Sequence, residues 1–414
     1  MALMPTASDG AEPDAPPLPY RWAMLGGVWL MYFSFGMTVA SVAPLVQIIE
    51  TDLGISHAAM GLVLGAWPLI YIASSAPCGV LLDRFGPRRM LFLAMMIVAL
   101  SAALRGLSNS PVELFLSVLV FGIGGPLVSA GAPKVISQWF SGKDRGLAVG
   151  IYYTGNALGS VAALSLTNSM LMPLFGHDWH AVFFAYAGFI LCAGFVWLLI
   201  SAHPDSREME RKLAAEPKPP FFEVFFELIR DPFVRTVLIM AVFILGFNHG
   251  LNNWMPTILQ SYGMDAKSAG YWASLPTFVG IFAALTIPRL ATQERRFAVL
   301  AAVMVAAAAT TLLIYSATMP WLGIGLVFQG MCSSALTAIA ILILMDMGQG
   351  RSKHVGAASG LYFSAGEIGG ALGPMSIGLL ADRTGDFDAP LMMMFGVSII
   401  LMILLARLRF LAHR

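Results

Sequence analysis

The sequence predicts an all-α integral membrane protein with twelve transmembrane helices in two six-helix bundles. Hydrophobic residues make up 58% of its 414 residues and charged residues only 11%, and the mean hydropathy is +0.77. Soluble domains carry about 25% charged residues, so this balance excludes an ordinary soluble domain. The apolar residues form runs of about 20, each long enough to cross a bilayer. Six runs precede one long polar segment and six follow it.

The order of the runs gives the predicted domain boundaries. The first six spans are residues 22–46, 57–82, 89–109, 112–138, 147–172 and 180–201. The second six are residues 233–260, 266–288, 297–316, 320–346, 355–381 and 389–410. They form bundles over 22–201 and 233–410, flanked by a disordered tail at 1–21, a linker at 202–232 and a short tail at 411–414. The second half of the linker, 220–230, is amphipathic and predicts a helix in the membrane interface.

Basic residues in the loops predict the orientation of the chain. With the N-terminus inside, the inner segments hold 20 lysines and arginines, and the outer loops hold only Arg105, Lys267 and Arg383. Such residues accumulate on the cytoplasmic side of membrane proteins. We therefore expect both termini and the linker to be cytoplasmic, in a multi-pass protein of the cell inner or plasma membrane.

A charged turn between the second and third spans carries the most specific motif. It reads Gly79-Val-Leu-Leu-Asp-Arg-Phe-Gly-Pro-Arg-Arg89. This motif resembles the signature loop of the major facilitator superfamily (MFS), Gly-x-Leu-x-Asp-Arg-x-Gly-x-Arg-Arg/Lys. The chain is similar to other passages of that superfamily at residues 132–150 and at the glycine-rich stretches 155–159 and 369–374. The resemblance therefore covers the whole chain.

The resemblance implies a secondary transporter that moves a small organic solute by alternating access, and neither an enzyme nor a protein with a cofactor. Its implied partners are a small-molecule substrate and membrane lipids, without nucleic acid, and it is expected to be a monomer. Proton symport, exchange and uniport all stay open. In this superfamily helices one, four, seven and ten line the central cavity.

Resemblances to single branches of the superfamily differ in the substrate that they imply. Residues 252–259, followed by Ala269 and Gly270, look like the cyanate-permease-type and organic-anion branches, whereas residues 246–252 resemble carriers of choline and haem. An organic anion or zwitterion is the expected substrate, and a cationic amine such as choline is the alternative. A sensor that lost transport is another alternative. An intramembrane enzyme would have only Glu367 and His249 as candidate catalytic groups.

The seventh span concentrates polar residues on one side. Asn248, His249, Asn252 and Asn253 fall on an arc of roughly 140° at 100° per residue. Polar groups in hydrocarbon need a partner or a wet cavity. This arc therefore predicts part of a substrate site, with hydrogen bonding between helices as the alternative. Pro256 follows, and a proline can break a helix at such a position.

Further polar and aromatic residues of the other spans are predicted to contact substrate. Tyrosine and tryptophan serve equally as packing groups, and hydroxyls often bond to their own helix. This set comprises Tyr32, Thr38, Trp67, Tyr71, Tyr152, Asn156, Trp254, Gln329 and Tyr362.

Glu367 lies twelve residues into the eleventh span, which is roughly 18 Å from its inner end and near the midplane. Burial disfavours the charged form of a carboxyl group. Glu367 is therefore predicted to bind a proton, a cationic group of the substrate or the neighbouring His249, with His249 sharing the proton-coupling role. The alternative is a protonated glutamate bonded to another helix.

Charged residues at the inner helix ends are predicted to form a gate. The gating set comprises Asp83, Arg84, Arg88, Lys134 and Asp346. The resemblance implies a contact between Lys134 and Asp346 when the inner ends of helices four and ten meet. Asp83 is expected to stabilise the outward-open state. A second motif, Gly378–Gly385, follows the eleventh span and predicts a turn that ends the helix.

Overall fold

The computed structural model describes residues 18–204, 206, 230–345 and 355–412, and twelve long helices account for most of them. The first half contains α1 (Leu18–Ala40), α2 in two segments (His57–Leu64 and Ala66–Phe85), α3 (Pro87–Gly106), α4 (Pro111–Trp139), α5 (Gly142–Leu166) and α6 (Trp179–Ile200). The second half contains α7 (Pro232–Ser261), α8 (Ala266–Leu290), α9 (Arg296–Tyr315), α10 (Trp321–Met345), α11 (Val355–Thr384) and α12 (Asp388–Ala412).

Two helices continue past an irregular turn. A 3₁₀ turn at Ala43–Leu45 joins α1 to a short helix at Val46–Leu53, and a π-helical turn at Thr167–Leu171 extends α5. Local sequence sets the helix starts. For example, the Asp265 carboxylate accepts hydrogen bonds from the backbone N–H groups of Lys267 and Ser268 at the start of α8, which satisfies two donors that a helix leaves free at its first turn.

Eleven helices in the described part of the chain are long and apolar enough to cross a membrane. The twelfth, α11, has 30 residues, but glycines and Glu367 interrupt its apolar sequence. The predicted fold of twelve helices is confirmed. The predicted linker and tails lie largely outside the described residues, including all of the interfacial helix except Arg230.

Two local expectations are wrong. Pro256 does not break α7, which continues to Ser261, because a proline removes only one helical hydrogen bond and membrane helices tolerate this where neighbours compensate. Arg105 does not lie in a loop. It belongs to α3, and its side chain is buried under α1 and α4.

Glycine-rich faces bring one pair of helices together in each half. A Cβ atom at Gly159 of α5 would lie 1.9 Å from the Phe33 carbonyl oxygen of α1, and one at Gly369 of α11 would lie 1.7 Å from the Val242 carbonyl oxygen of α7. Only glycine permits backbones to approach this closely. The α1–α5 and α7–α11 pairs therefore correspond to each other in the two halves.

The bundle has a basic end and an opposite end, which we name by their charges. Arg21, Arg88 and Lys134 lie at the basic end. At the opposite end, hydrogen bonds join the halves: the Asp382 carboxylate of α11 accepts from the start of α2, and Asn168 Nδ2 donates to the Ala266 carbonyl, 3.4 Å away. The halves are thus held together by polar contacts at the opposite end.

Candidate functional site

Glu367 and His249 lie side by side on α11 and α7. Glu367 Oε2 is 3.8 Å from His249 Nδ1, and the two side chains are 8% and 21% exposed. A Cβ atom at Gly370 would lie 2.5 Å from Glu367 Oε2 and 2.7 Å from His249 Nδ1. The missing side chain at Gly370 therefore makes room for this acid–imidazole pair.

Polar side chains of α7 and α10 continue the site from His249. Asn248 Nδ2 donates to the Ser333 carbonyl oxygen at 3.1 Å, and Gln329 Nε2 donates to Asn252 Oδ1 at 3.1 Å. Asn252 is exposed, whereas Gln329 is fully buried. The polar arc of α7 therefore both bonds to another helix and presents an accessible amide.

Four buried side-chain oxygen atoms on α7, α10 and α11 have no hydrogen-bond partner among the described residues. They are Asn248 Oδ1, Gln329 Oε1, Ser333 Oγ and Glu367 Oε2. Buried polar atoms of folded proteins are almost always paired, because each unpaired one costs about 1–3 kcal/mol. Such a group in one region is typical of a site that is completed by a ligand or by water.

Trp67 of the first half faces the acid–imidazole pair, and Tyr71 packs edge-on against Trp67 with ring centroids 5.7 Å apart. The ring centroids of Trp67 and His249 are 5.4 Å apart, which makes Trp67 a direct contact between the halves. Tyr71 Oη is 2.5 Å from Ser129 Oγ, and Tyr32 Oη donates to the Ser129 carbonyl at 3.4 Å. Tyr152 packs edge-on against Tyr32 with centroids 4.7 Å apart. Ser129 joins these helices and was missing from the predicted set, because one serine in an apolar run gives no sequence signal.

The remaining predicted substrate residues make their described contacts elsewhere. Trp254 donates from Nε1 to the Pro374 carbonyl and packs on His57 at the opposite end. Thr38 bonds to the Ser34 carbonyl of its own helix. The backbone and side-chain oxygens of Asn156 lie against Gly36 of α1, and Tyr362 is fully buried.

The charged residues predicted to form the gate make their described contacts within the first half. Lys134 Nζ lies 2.6 Å from Asp83 Oδ1 and donates to the Leu82 carbonyl at 3.3 Å. Asp346, the predicted partner of Lys134, lies outside the described residues. The Arg84 guanidinium stacks on the Phe85 ring, with its Cζ 5.3 Å from the ring centroid, and the Arg88 carbonyl accepts from Trp197 Nε1.

Arg105 is a functional candidate that the sequence patterns did not indicate. Its side chain is 1% exposed and donates from Nη1 to the Thr38 carbonyl and to Ser41 Oγ, at 3.1 and 2.8 Å. These acceptors lie where α1 ends, so the cation is placed at the negative end of a helix. Arg105 therefore stabilises the irregular turn that follows α1.

The distribution of charge distinguishes the site from the rest of the membrane region. Every lysine and arginine in the twelve described helices lies near a helix end, as do all acidic residues in them except Glu367. Among these helices Glu367 is thus the one acid in a helix middle, and it has an imidazole rather than a lysine or arginine beside it.

Two six-helix halves that meet around a buried polar pair define a membrane carrier. The sequence profile of the Major Facilitator Superfamily matches residues 28–294 and 293–414. The chain belongs to this superfamily, as its signature loop predicts, and it is a transporter rather than an enzyme.

Similar proteins include transporters named for quite different solutes. The quinolone resistance transporter of Acinetobacter baumannii is 27% identical over 84% of this chain and 85% of that protein. The probable galactarate/D-glucarate transporter GudP of Escherichia coli is 23% identical over 82% of each chain. The crystal structure of the nucleoside transporter NupG covers 94% of this chain and 99% of its own, with a TM-score of 0.76 and 14% identity, and shares the fold.

Proposed function

We propose that this transporter moves a neutral or cationic organic solute that offers N–H or O–H donors, by alternating access and with a proton carried on Glu367 and His249. The observation that supports this most is the group of four buried acceptors, unpaired among the described residues, beside the one mid-membrane acid of the described helices. Donors on a solute would pair with these acceptors and remove the cost of leaving them buried alone.

The charge of the site argues against an organic anion. In the described part of the chain, an anionic solute would lie beside the Glu367 carboxyl group, with no lysine or arginine nearby. Burying the negative charge of the solute there without a cationic partner would be costly. The aromatic wall of Trp67 and Tyr71 suits a planar ring instead. The name of the quinolone resistance relative supports a ring-containing solute.

Glu367 and His249 are the proposed proton carriers because they are the acid and the imidazole at the site. A proton on Glu367 removes its charge, and a cationic group of the solute would compete for the same place. The proton and the solute therefore bias one conformational equilibrium, which is what coupling requires.

Alternating access is proposed to move the first half against the second around the contact of Trp67 with His249. A solute bound beside these two rings would gain contacts from both halves only when the halves close on it. We further propose that both termini lie in the cytoplasm, as the basic loops indicate.

A thermal-shift screen of the purified protein tests the substrate class. We expect nitrogen heterocycles and amines to raise the melting temperature, and sugar diacids to leave it unchanged. Asn252→Ala should weaken the stabilisation, because Asn252 is the accessible amide of the site. Asn253→Ala is the matched control, because Asn253 Nδ2 donates to the His249 carbonyl of its own helix.

The organic-acid candidate rests on the resemblance of residues 252–259 to the organic-anion branches and on the name of GudP, and it makes the opposite prediction. If sugar diacids alone stabilise the protein and drive counterflow in proteoliposomes, the proposed substrate class is wrong. Equal effects of Asn252→Ala and Asn253→Ala would show that the accessible amide of Asn252 has no specific role in binding.

A further inference from the structure

The first eight positions of the signature motif occur twice, at the ends of two helices that pack against each other. Gly79–Gly86 and Gly378–Gly385 both fit Gly-x-Leu-x-Asp-Arg-x-Gly. The first copy ends α2 and the second ends α11. A Cβ atom at Gly65 of α2 would lie 2.5 Å from the Ala371 carbonyl of α11. The two helices are antiparallel, so one Asp lies at each end of the bundle.

The Asp382 carboxylate caps the start of α2 across the boundary between the halves. Its Oδ1 accepts from the His57 N–H at 3.0 Å, and its Oδ2 accepts from the Ala58 N–H at 2.8 Å. These are two of the donors that a helix leaves without internal partners, and the start of a helix attracts negative charge. Ser56 Oγ of the first half accepts from the Ala59 N–H at 3.4 Å, so the start of α2 is capped by both halves together.

The surrounding residues fit this contact closely. A Cβ atom at Gly378 would lie 2.2 Å from the His57 carbonyl oxygen, so the two helices could not approach this closely with any other residue there. The His57 imidazole is held by Glu50, with Nδ1 2.8 Å from Oε1, and packs edge-on against Trp254. By contrast Asp83, the matching residue of the first motif, lies 2.6 Å from Lys134 of its own half.

We propose that Asp382 is a state-selective latch, whose carboxylate caps α2 only while the opposite end of the bundle is closed. Opening that end separates α11 from α2 and breaks both hydrogen bonds together. Loss of the carboxylate therefore shifts the protein toward the state that is open at the opposite end. The latch rests on the proposed alternating access for its role in transport, but its geometry is tested without any substrate.

A double-mutant cycle isolates the hydrogen bonds themselves. His57→Pro removes the N–H that bonds to Asp382, and proline suits this first helical position because Ser56 before it is extended, with φ −81° and ψ 165°. His57→Ala is its matched control, because it loses the imidazole but keeps the N–H. Asp382→Ala removes both acceptors, and Asp382→Asn keeps the shape of the side chain without its charge.

The readout is the distance between spin labels at Asn109 and Lys267, on the two halves at the opposite end. It is measured by pulsed electron resonance in lipid nanodiscs, after replacement of Cys78, Cys192 and Cys332. We expect Asp382→Ala and His57→Pro to raise the long-distance population about tenfold or more, and Asp382→Asn to raise it less. Asp386→Asn should match the wild-type protein, because Asp386 Oδ1 accepts from the backbone N–H of Asp388 in its own half.

The cycle gives the decisive comparison. In the Asp382→Ala background, His57→Pro and His57→Ala should behave alike, because the acceptor is already gone. The latch is wrong if folded Asp382→Ala and Asp382→Asn both show the wild-type distance distribution. It is also wrong if His57→Pro still raises the long-distance population, relative to His57→Ala, in the Asp382→Ala background. If Asp382→Ala is not recovered folded, Asp382→Asn decides by the same criterion. If the distances shift as expected but no solute is carried, the latch stands and the proposed function fails.

Discussion

Glu367→Gln separates proton coupling from solute binding. The change keeps the size and hydrogen-bonding capacity of a side chain that is 8% exposed and 3.8 Å from His249, but removes its titration. One carboxyl group carries one proton per cycle, and one pH unit corresponds to about 1.4 kcal/mol per proton. A gradient of one unit therefore drives up to about tenfold accumulation of a neutral solute in the wild type. We expect an accumulation ratio of about one in Glu367→Gln, with solute exchange retained.

Proteoliposomes with an imposed pH gradient measure accumulation, and counterflow without a gradient measures exchange. Glu294→Gln is the control, because Glu294 is exposed in the loop between α8 and α9. If Glu367 pairs with a cationic solute, the variant should instead lose binding itself, since breaking a buried charge pair costs a few kcal/mol. Wild-type accumulation and binding in Glu367→Gln would refute both roles and restrict the site to the polar arc of α7.

Three further predictions test the surroundings of the site and the orientation. Gly370→Ala should lower solute affinity about tenfold in binding titrations, because the added methyl group forces Glu367 and His249 apart. Gly396→Ala is the control and should leave the affinity unchanged, because there is open space around Gly396. Asp83→Asn should slow transport while leaving binding largely intact, because it weakens the contact with Lys134; an unchanged transport rate counts against gating. A cysteine at position 212 should resist an impermeant thiol reagent applied to sealed cells, whereas one at position 267 should react, and labelling at 212 would reverse the orientation.

The fold was predictable because its determinants are local. Runs of about 20 apolar residues define membrane helices by length alone, and the glycine-rich stretches at 155–159 and 369–374 mark the faces where backbones touch. The polar arc of α7 and Glu367 were also identifiable, because a polar group inside an apolar run stands out in sequence.

Contacts between distant segments were not predictable in the same way. Asp382 ends a helix in sequence, and only the antiparallel packing of α11 on α2 brings it to His57. Lys134 has acidic candidates at several inner helix ends, and the sequence does not indicate that it binds Asp83. Arg105 lies within the predicted span 89–109 but is counted with the basic residues of the outer loops, and the sequence does not indicate that its side chain is buried against the end of α1.

One helix carries both the proposed proton site and the proposed latch. Glu367 and Asp382 are about 22 Å apart along α11 at 1.5 Å per residue. The backbones of α11 and α7 are in direct contact at Gly369 and Gly373. No side chains separate the two helices at these positions. Trp254 Nε1 of α7 also donates to the Pro374 carbonyl of α11. We therefore expect α11 and α7 to move together when Asp382 leaves α2, and Glu367 and His249 to move with them relative to Trp67. Release of the latch would thus change the aromatic contact at the proton site in the same step.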